Sequence, residues 1–215
     1  MKNSEIKKKS TFREYAEAII IALALAMLIR TFVVQAFKIP SGSMEPTLEI
    51  GDHILVNKFI FGIKIPFTSW NLVPFQKPKK ADVVVFIYPN DRDKDFIKRV
   101  AAVEGDTVQI INKKVHINGA PVPDPHAIFK ETGPLAAAVQ RGDNFGPVRV
   151  PPEKIFVLGD NRDRSLDSRF WGFVPVEDVR GKAFIIYWSW DGQGDVPWYR
   201  LDQKIRWNRF GHLIE

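Results

Sequence analysis

The chain contains no cysteine among its 215 residues, so it forms no disulfide and no thiolate metal site. That absence suits a reducing or an oxidising compartment equally. Its four histidines, His53, His116, His126 and His212, are scattered, and no His-Glu-x-x-His pair brings two of them together. There is no glycine-rich phosphate loop either. Metallopeptidase and nucleotide-hydrolysing chemistry therefore have no residues to rest on, and neither metal nor cofactor is expected. The net charge is +6, yet no recognition helix, RNP motif or zinc-finger spacing accompanies it, so a nucleic-acid partner is not expected. Also missing are an internal repeat, a second long apolar run, and any amphipathic helix of several turns beyond the first forty or so residues.

What remains is β-rich. Fifteen prolines and fourteen glycines favour short strands and many turns over a helical bundle. Runs with β-branched and aromatic residues read as strands at His53 to Phe61, Val83 to Tyr88, Phe96 to Val103, Ile155 to Leu158 and Lys182 to Trp190. Asp106 to Ile117 reads as two strands joined near Asn112-Lys113. Asn118-Gly119 then makes a hairpin turn into Ala120-Pro121-Val122. The expected fold class is mainly β: one N-terminal transmembrane helix, then a β-rich domain over 38–106 and 153–215 with a small β insertion at 107–152.

The N-terminus has a different character. Residues 1–15 hold five basic residues, Lys2, Lys7, Lys8, Lys9 and Arg13, against Glu5 and Glu14, which is half of the net charge. Ala18 to Ile29 is uninterrupted apolar sequence. Taken over 16–37, the segment would span about 33 Å as a helix at roughly 1.5 Å per residue. Glu17 lies at one end, and Arg30 has a stem long enough to snorkel. The run Thr31 to Phe37 is β-branched and aromatic, so strand can begin inside it. A basic flank ahead of one span places the N-terminus in the cytoplasm and the remainder outside.

Three polar segments stand out beyond the span. The first is Ser41-Gly42-Ser43-Met44-Glu45-Pro46-Thr47-Leu48, with Pro40 and Pro46 restricting its backbone. A serine hydroxyl attacks only when a base takes its proton, and no histidine lies nearby. The second is Phe96-Ile97-Lys98-Arg99-Val100. On a strand Lys98 shares a face with Phe96 and Val100 while Arg99 points the other way, and an apolar face lowers an amine's pKa. The third is Gly159-Asp160-Asn161-Arg162-Asp163-Arg164-Ser165-Leu166-Asp167-Ser168-Arg169. Taken singly, these read as a serine-glycine turn, a surface basic pair and a charged loop.

Together, in this order behind an apolar helix, they resemble bacterial type I signal peptidase, the leader peptidase family of Ser-Lys serine proteases. The resemblance runs from Phe37 to Val179, with a weaker echo at Arg206-Trp207-Asn208-Arg209-Phe210-Gly211. It implies Ser43 as nucleophile, Lys98 as general base, Ser41 and the Ser43 N–H as oxyanion donors, and Ser165 as the residue that orients the amine. It implies structural ion pairs Arg99–Asp160 and Asp167–Arg169. Phe37, Ile39, Pro40, Met44, Leu48, Phe96 and Ile97 would line pockets for small side chains, with Asp95 beside the substrate backbone. Core packing is an equal expectation for most of these. The partners implied are the signal peptides of exported preproteins, cut after Ala-x-Ala, and membrane lipid. The location implied is the bacterial inner membrane, with the catalytic domain on the outer side.

Ala102-Val103-Glu104-Gly105-Asp106 departs from the family's Gly-Leu-Pro-Gly-Asp, which leaves the turn after the base open. Six residues from Phe37 to Ser43 reach at most about 20 Å when extended, so the nucleophile should lie near the outer membrane–water boundary. Phe59-Ile60-Phe61-Gly62-Ile63, Phe67, Trp70 and Phe75 would add an interfacial apolar surface or pack in the core. Val34-Gln35-Ala36 has the small residues of a cleavable leader, but cutting there would sever the domain from its anchor just before Ser43. Rival readings are a Ser-Lys peptidase dedicated to one substrate such as a pilin, an inactive anchored β-domain that binds exported chains, and a self-cleaving repressor.

Overall fold

The computed structural model describes residues 11–62, 76–130, 142–192 and 199–215. Residues 63–75, which carry Phe67, Trp70 and Phe75, lie outside it, as do the first ten.

The first element, α1, spans Thr11–Phe32. It ends five residues before the expected boundary at 37, because Val34–Lys38 is strand β1, paired antiparallel with β2 (Asp52–Asn57). Strand pairing of Gln35 and Phe37 overrides the apolar character that had extended the helix on paper. Among the described residues, no helix is long and apolar enough to cross a membrane. In α1, Arg13, Glu14, Glu17 and Arg30 lie toward the two ends. Its side chains from Ile19 to Ile29 are nonetheless solvent-exposed, Ile21 and Met27 at 66% and 70%.

The remaining strands are β3 (Val83–Ile87), β4 (Asp95–Val103), β5 (Thr107–Ile111), β6 (Lys114–Ile117), β7 (Ala120–Pro121), β8 (Phe145–Arg149), β9 (Lys154–Leu158), β10 (Val174–Pro175), β11 (Val179–Ser189) and β12 (His212–Leu213). They form two sheets. The larger runs β1-β2-β11-β3-β4-β9-β10, with β12 also paired to β11; the smaller runs β7-β6-β5-β8. The named strand pairs in both are antiparallel. The expected strands are present, with His53 to Phe61 cut short where Phe59–Phe61 turns into a 3₁₀ helix. Of that apolar stretch, Phe61 is buried while Phe59 is 42% exposed. Strand β8 was not legible in the sequence. It carries Gly146 and Pro147 and lies at the edge of its sheet, the position where a strand tolerates proline.

Both short turns of the smaller sheet take left-handed backbone, with φ of 48° and 70° at Asn112 and Lys113 and 54° at Asn118. Those are the angles of a tight hairpin. The departure after the base is also resolved. Gly105 alone supplies the positive φ of 85°. Ala102 is buried in β4, and Glu104 pairs with Lys77 and accepts from the Glu153 N–H. Glycine at 102 and proline at 104 are not needed, because Asp106 caps the turn by accepting the Val103 N–H.

Three clusters of buried side chains form the core. One joins Ile39, Met44 and Leu48 to β2, β3 and β11, a second packs the opposite face around Phe86 and Val100, and a third fills the smaller sheet around Val108 and Phe156. Strand β4 lies between β3 and β9, with Lys98 opposite Val84 and Arg99 opposite Leu158. A central strand flanked by partners on both sides is a rigid place for two charged residues, and it forces both of them indoors.

Candidate active site

The turn that carries Ser43 is an excursion between β1 and β2. Its base is closed by Ile39 N–H to Asp52 O and Gly51 N–H to Ile39 O. Gly42–Met44 makes one 3₁₀ turn, and Met44 and Leu48 anchor it in the core at 0% exposure. Ser43, immediately before Met44, is itself buried at 8% exposure.

Lys98 arrives from β4. Its Nζ donates to Ser43 Oγ at 2.7 Å and to Ile97 O at 3.0 Å, and lies 5.5 Å from the Phe96 ring centre. Burial is the main influence on the amine and pushes its pKa down from 10.5 to about 8; Asp167 and Asp160 oppose the shift, and Arg169 adds to it. An amine that is neutral in about a tenth of molecules at pH 7 and half of them near pH 8, with its nitrogen on a serine hydroxyl, can accept that hydroxyl's proton.

The third segment begins at the end of β9. Because Leu158 pairs with Arg99, Asp160 arrives beside the guanidinium two residues later. Arg99 Nε and Nη2 donate to the two oxygens of Asp160, each at 2.8 Å, and Thr47 Oγ1 donates to Asp160 at 2.6 Å. Asp167 caps helix α2 (Ser168–Trp171), accepts the Gly159 N–H at 3.1 Å, and pairs with Arg169 at 2.8 Å. Gly159 is where the segments touch. A β-carbon there would fall 2.2 Å from Ser165 Oγ and 2.5 Å from the main-chain oxygen of Ser43.

Ser165 makes no hydrogen bond to Lys98 in this structure: the amine is engaged by Ser43 and Ile97, and Ser165 Oγ is buried with no hydrogen-bond partner among the described residues. Its side chain packs against Gly159. Ile39, Met44 and Leu48 follow the core alternative, packing beneath the turn that carries Ser43. Phe37 and Ile97 are partly buried against the same cluster, and Pro40 is exposed. Asp95 pairs with Arg180 at 3.3 Å on the surface. Phe96 does line the cavity at the site. So do Ser41, Gly42, Ser43, Glu45, Ile50, Lys98, Arg164 and Leu166, around a volume of about 290 Å³.

Other residues of the site were missed. Thr47 joins the Arg99–Asp160 pair, and Asn161 donates through Nδ2 to Gly42 O at 3.1 Å. Arg209 holds the buried carboxylate of Asp52 with bonds as short as 2.6 Å and donates to Thr47 O, clamping the base of the loop that carries Ser43. The tail Arg206 to Gly211 was visible as a motif, but its target more than 150 residues earlier was not.

A buried serine hydroxyl against a buried amine, on a mainly β scaffold with no metal-binding cluster among the described residues, has the geometry of a serine hydrolase. Comparison with known proteins gives the family. Residues 12–188 match the family model described as signal peptidase, peptidase S26. The signal peptidase I of Pseudomonas aeruginosa is 35% identical, over 86% of this chain and 76% of that protein. The signal peptidase I of Aquifex aeolicus is 35% identical over 86% of each. A crystal structure of a signal peptidase I from Enterococcus faecalis V583 is 29% identical and covers 50% of this chain and 97% of that one, with a TM-score of 0.40. The chain belongs to the signal peptidase family, peptidase S26, and is an enzyme, a serine peptidase.

Proposed function

We propose that this protein is a membrane-anchored endopeptidase that removes signal peptides from exported preproteins after Ala-x-Ala, with Ser43 as nucleophile and Lys98 as general base. The observation that carries the reading is the 2.7 Å contact between Lys98 Nζ and Ser43 Oγ in a buried setting. Lys98 takes the hydroxyl proton as Ser43 attacks the scissile carbonyl. The amine then returns that proton to the leaving amino group and activates the water that hydrolyses the acyl-enzyme. The oxyanion falls to the Ser43 N–H and the Ser41 hydroxyl, and Ser41 borders the same cavity. Arg99–Asp160 and Asp167–Arg169 hold the strand and loop that frame the dyad.

Helix α1 is the proposed anchor. Its side chains between residues 19 and 29 are apolar around the whole circumference and exposed, a pattern that suits lipid rather than water. Arg30 snorkels outward and the basic N-terminus stays in the cytoplasm, so the catalytic domain faces the outer side of the inner membrane. Incubating the detergent-solubilised chain with a panel of preproteins tests this reading. Cleavage of most members after Ala-x-Ala is expected. Cleavage of a single substrate supports a dedicated maturation enzyme instead, and cleavage of none sinks both.

Two results are expected from the dyad's surroundings. Only the neutral amine accepts a proton, and its neutral fraction grows as pH rises through about 8. The single-turnover rate should therefore climb roughly tenfold per unit below that value and level off above it. A rate flat from about pH 5 to 9 contradicts a lysine base. Stability follows the same sign. The unfolded amine titrates near about 10.4, so the cost of burying its charged form is fully present below about pH 8 and disappears as pH rises from there toward 10.4.

Ser41→Ala should lower turnover by about 10²–10³-fold with KM nearly unchanged, the usual effect of losing one oxyanion donor. Ser41→Thr, which keeps the hydroxyl, should retain most of the rate. An Ala variant with the wild-type single-turnover rate would make Ser41 a turn residue only.

A further inference from the structure

Asn161 is fully buried and touches the nucleophile turn twice. Its Nδ2 donates to Gly42 O at 3.1 Å, and its main-chain N–H donates to Ser43 O at 3.2 Å. These are the carbonyls on the two sides of the Ser43 α-carbon. We infer that Asn161 is a positioning residue that aims the Ser43 N–H at the oxyanion, an inference that rests on reading Ser43 as the nucleophile.

The link is the geometry of the peptide bond. In a planar trans peptide the C=O and the following N–H lie in one plane and point opposite ways. Whatever fixes Gly42 O therefore fixes the direction of the Ser43 N–H. Gly42 O is held by two donors, Asn161 Nδ2 and the Glu45 N–H at 3.3 Å. The second belongs to the turn itself, and the first reaches Gly42 O from outside it. An oxyanion donor contributes through being aimed before the charge develops, so a device that holds this peptide plane acts on the transition state and leaves ground-state binding alone. The amide orientation is the one the contacts allow, since the flipped amide would set Oδ1 against the Gly42 oxygen.

Asn161 is in turn held on both sides. Ile128, on the arm leaving the smaller sheet, bridges it in parallel fashion: the Ile128 N–H donates to Asp160 O at 2.8 Å and the Arg162 N–H donates to Ile128 O at 3.0 Å. Arg162 pairs with Asp124 of the same arm. Asp160 is fixed by Arg99. The insertion thus reaches the reaction through Asn161 without supplying a group to it.

Asn161→Asp is the informative change, because it keeps the shape and removes the donor. With the full chain in detergent and a preprotein as substrate, kcat should fall about 10–100-fold with KM within about twofold. Affinity for an Ala-x-Ala peptide aldehyde, whose reversible adduct with Ser43 bears the same tetrahedral oxygen, should fall in parallel. A kcat within threefold of wild type overturns the inference. So does a fall in kcat with unchanged aldehyde affinity, which would leave Asn161 a structural residue. Should the Asp variant not fold, Asn161→Ala removes the amide without adding charge and gives the same two readouts. Ser43→Ala, run alongside, separates the cases: if it still cleaves, the proposed function fails; if it is dead while Asn161→Asp is unaffected, only this inference does.

Discussion

Replacing either member of the dyad should abolish turnover to the same floor. Ser43→Ala removes the attacking oxygen. Lys98→Met fills nearly the same buried volume without an amine, so it removes the base while sparing the fold. Each should reduce kcat by at least about 10⁴-fold, and the double variant should be little worse than either single one, because groups that act as one device are not additive. Lys98→Met should also melt no lower than wild type at neutral pH, since it relieves the burial of an amine that is 4% exposed. Substantial activity in Lys98→Met, measured under single-turnover conditions, would remove lysine from the mechanism.

The second large effect falls on stability. Arg99 and Asp160 form a buried pair, with side-chain exposures of 7% and 1%. Asp160→Ala leaves the guanidinium buried among the Ala81 and Glu215 main-chain oxygens and the Thr47 hydroxyl. Breaking one side of a buried pair typically costs about 3–5 kcal/mol, which for a domain of this size lowers Tm by roughly 6–20 °C. The double variant Arg99→Met, Asp160→Leu should be less damaged than Asp160→Ala, since no charge is then left unpaired. A melting temperature for Asp160→Ala within about 2 °C of wild type would mean that solvent reaches Arg99.

What was legible in the sequence divides along physical lines. Strands with β-branched residues bounded by turn residues could be read locally, as at Val83 to Ile87 and Ile155 to Leu158. The alternation in β4 put Lys98 on the face of Phe96, and 5.5 Å separates amine and ring centre. Strand β8 hid because Gly146 and Pro147 are tolerated only at an edge, and edges are set by the whole sheet. The end of α1 was left open because Thr31 to Phe37 suits strand as well as helix, and pairing with β2 decides it for strand from Val34. Within the site, the ion partners matched by resemblance to relatives are in contact. The contacts of Thr47, Asn161 and Arg209 depend on where three distant loops meet. Ser165 shows the opposite limit. A motif can name a residue, but the loop's path decides what its hydroxyl faces.

The most direct measurement is a single-turnover incubation of the detergent-solubilised wild type and of Ser43→Ala with one preprotein, followed by N-terminal sequencing of the larger product. The wild type should yield a mature chain that starts immediately after Ala-x-Ala, and Ser43→Ala should yield none. Cleavage at that bond by Ser43→Ala at the wild-type rate would contradict the assignment of Ser43 as nucleophile.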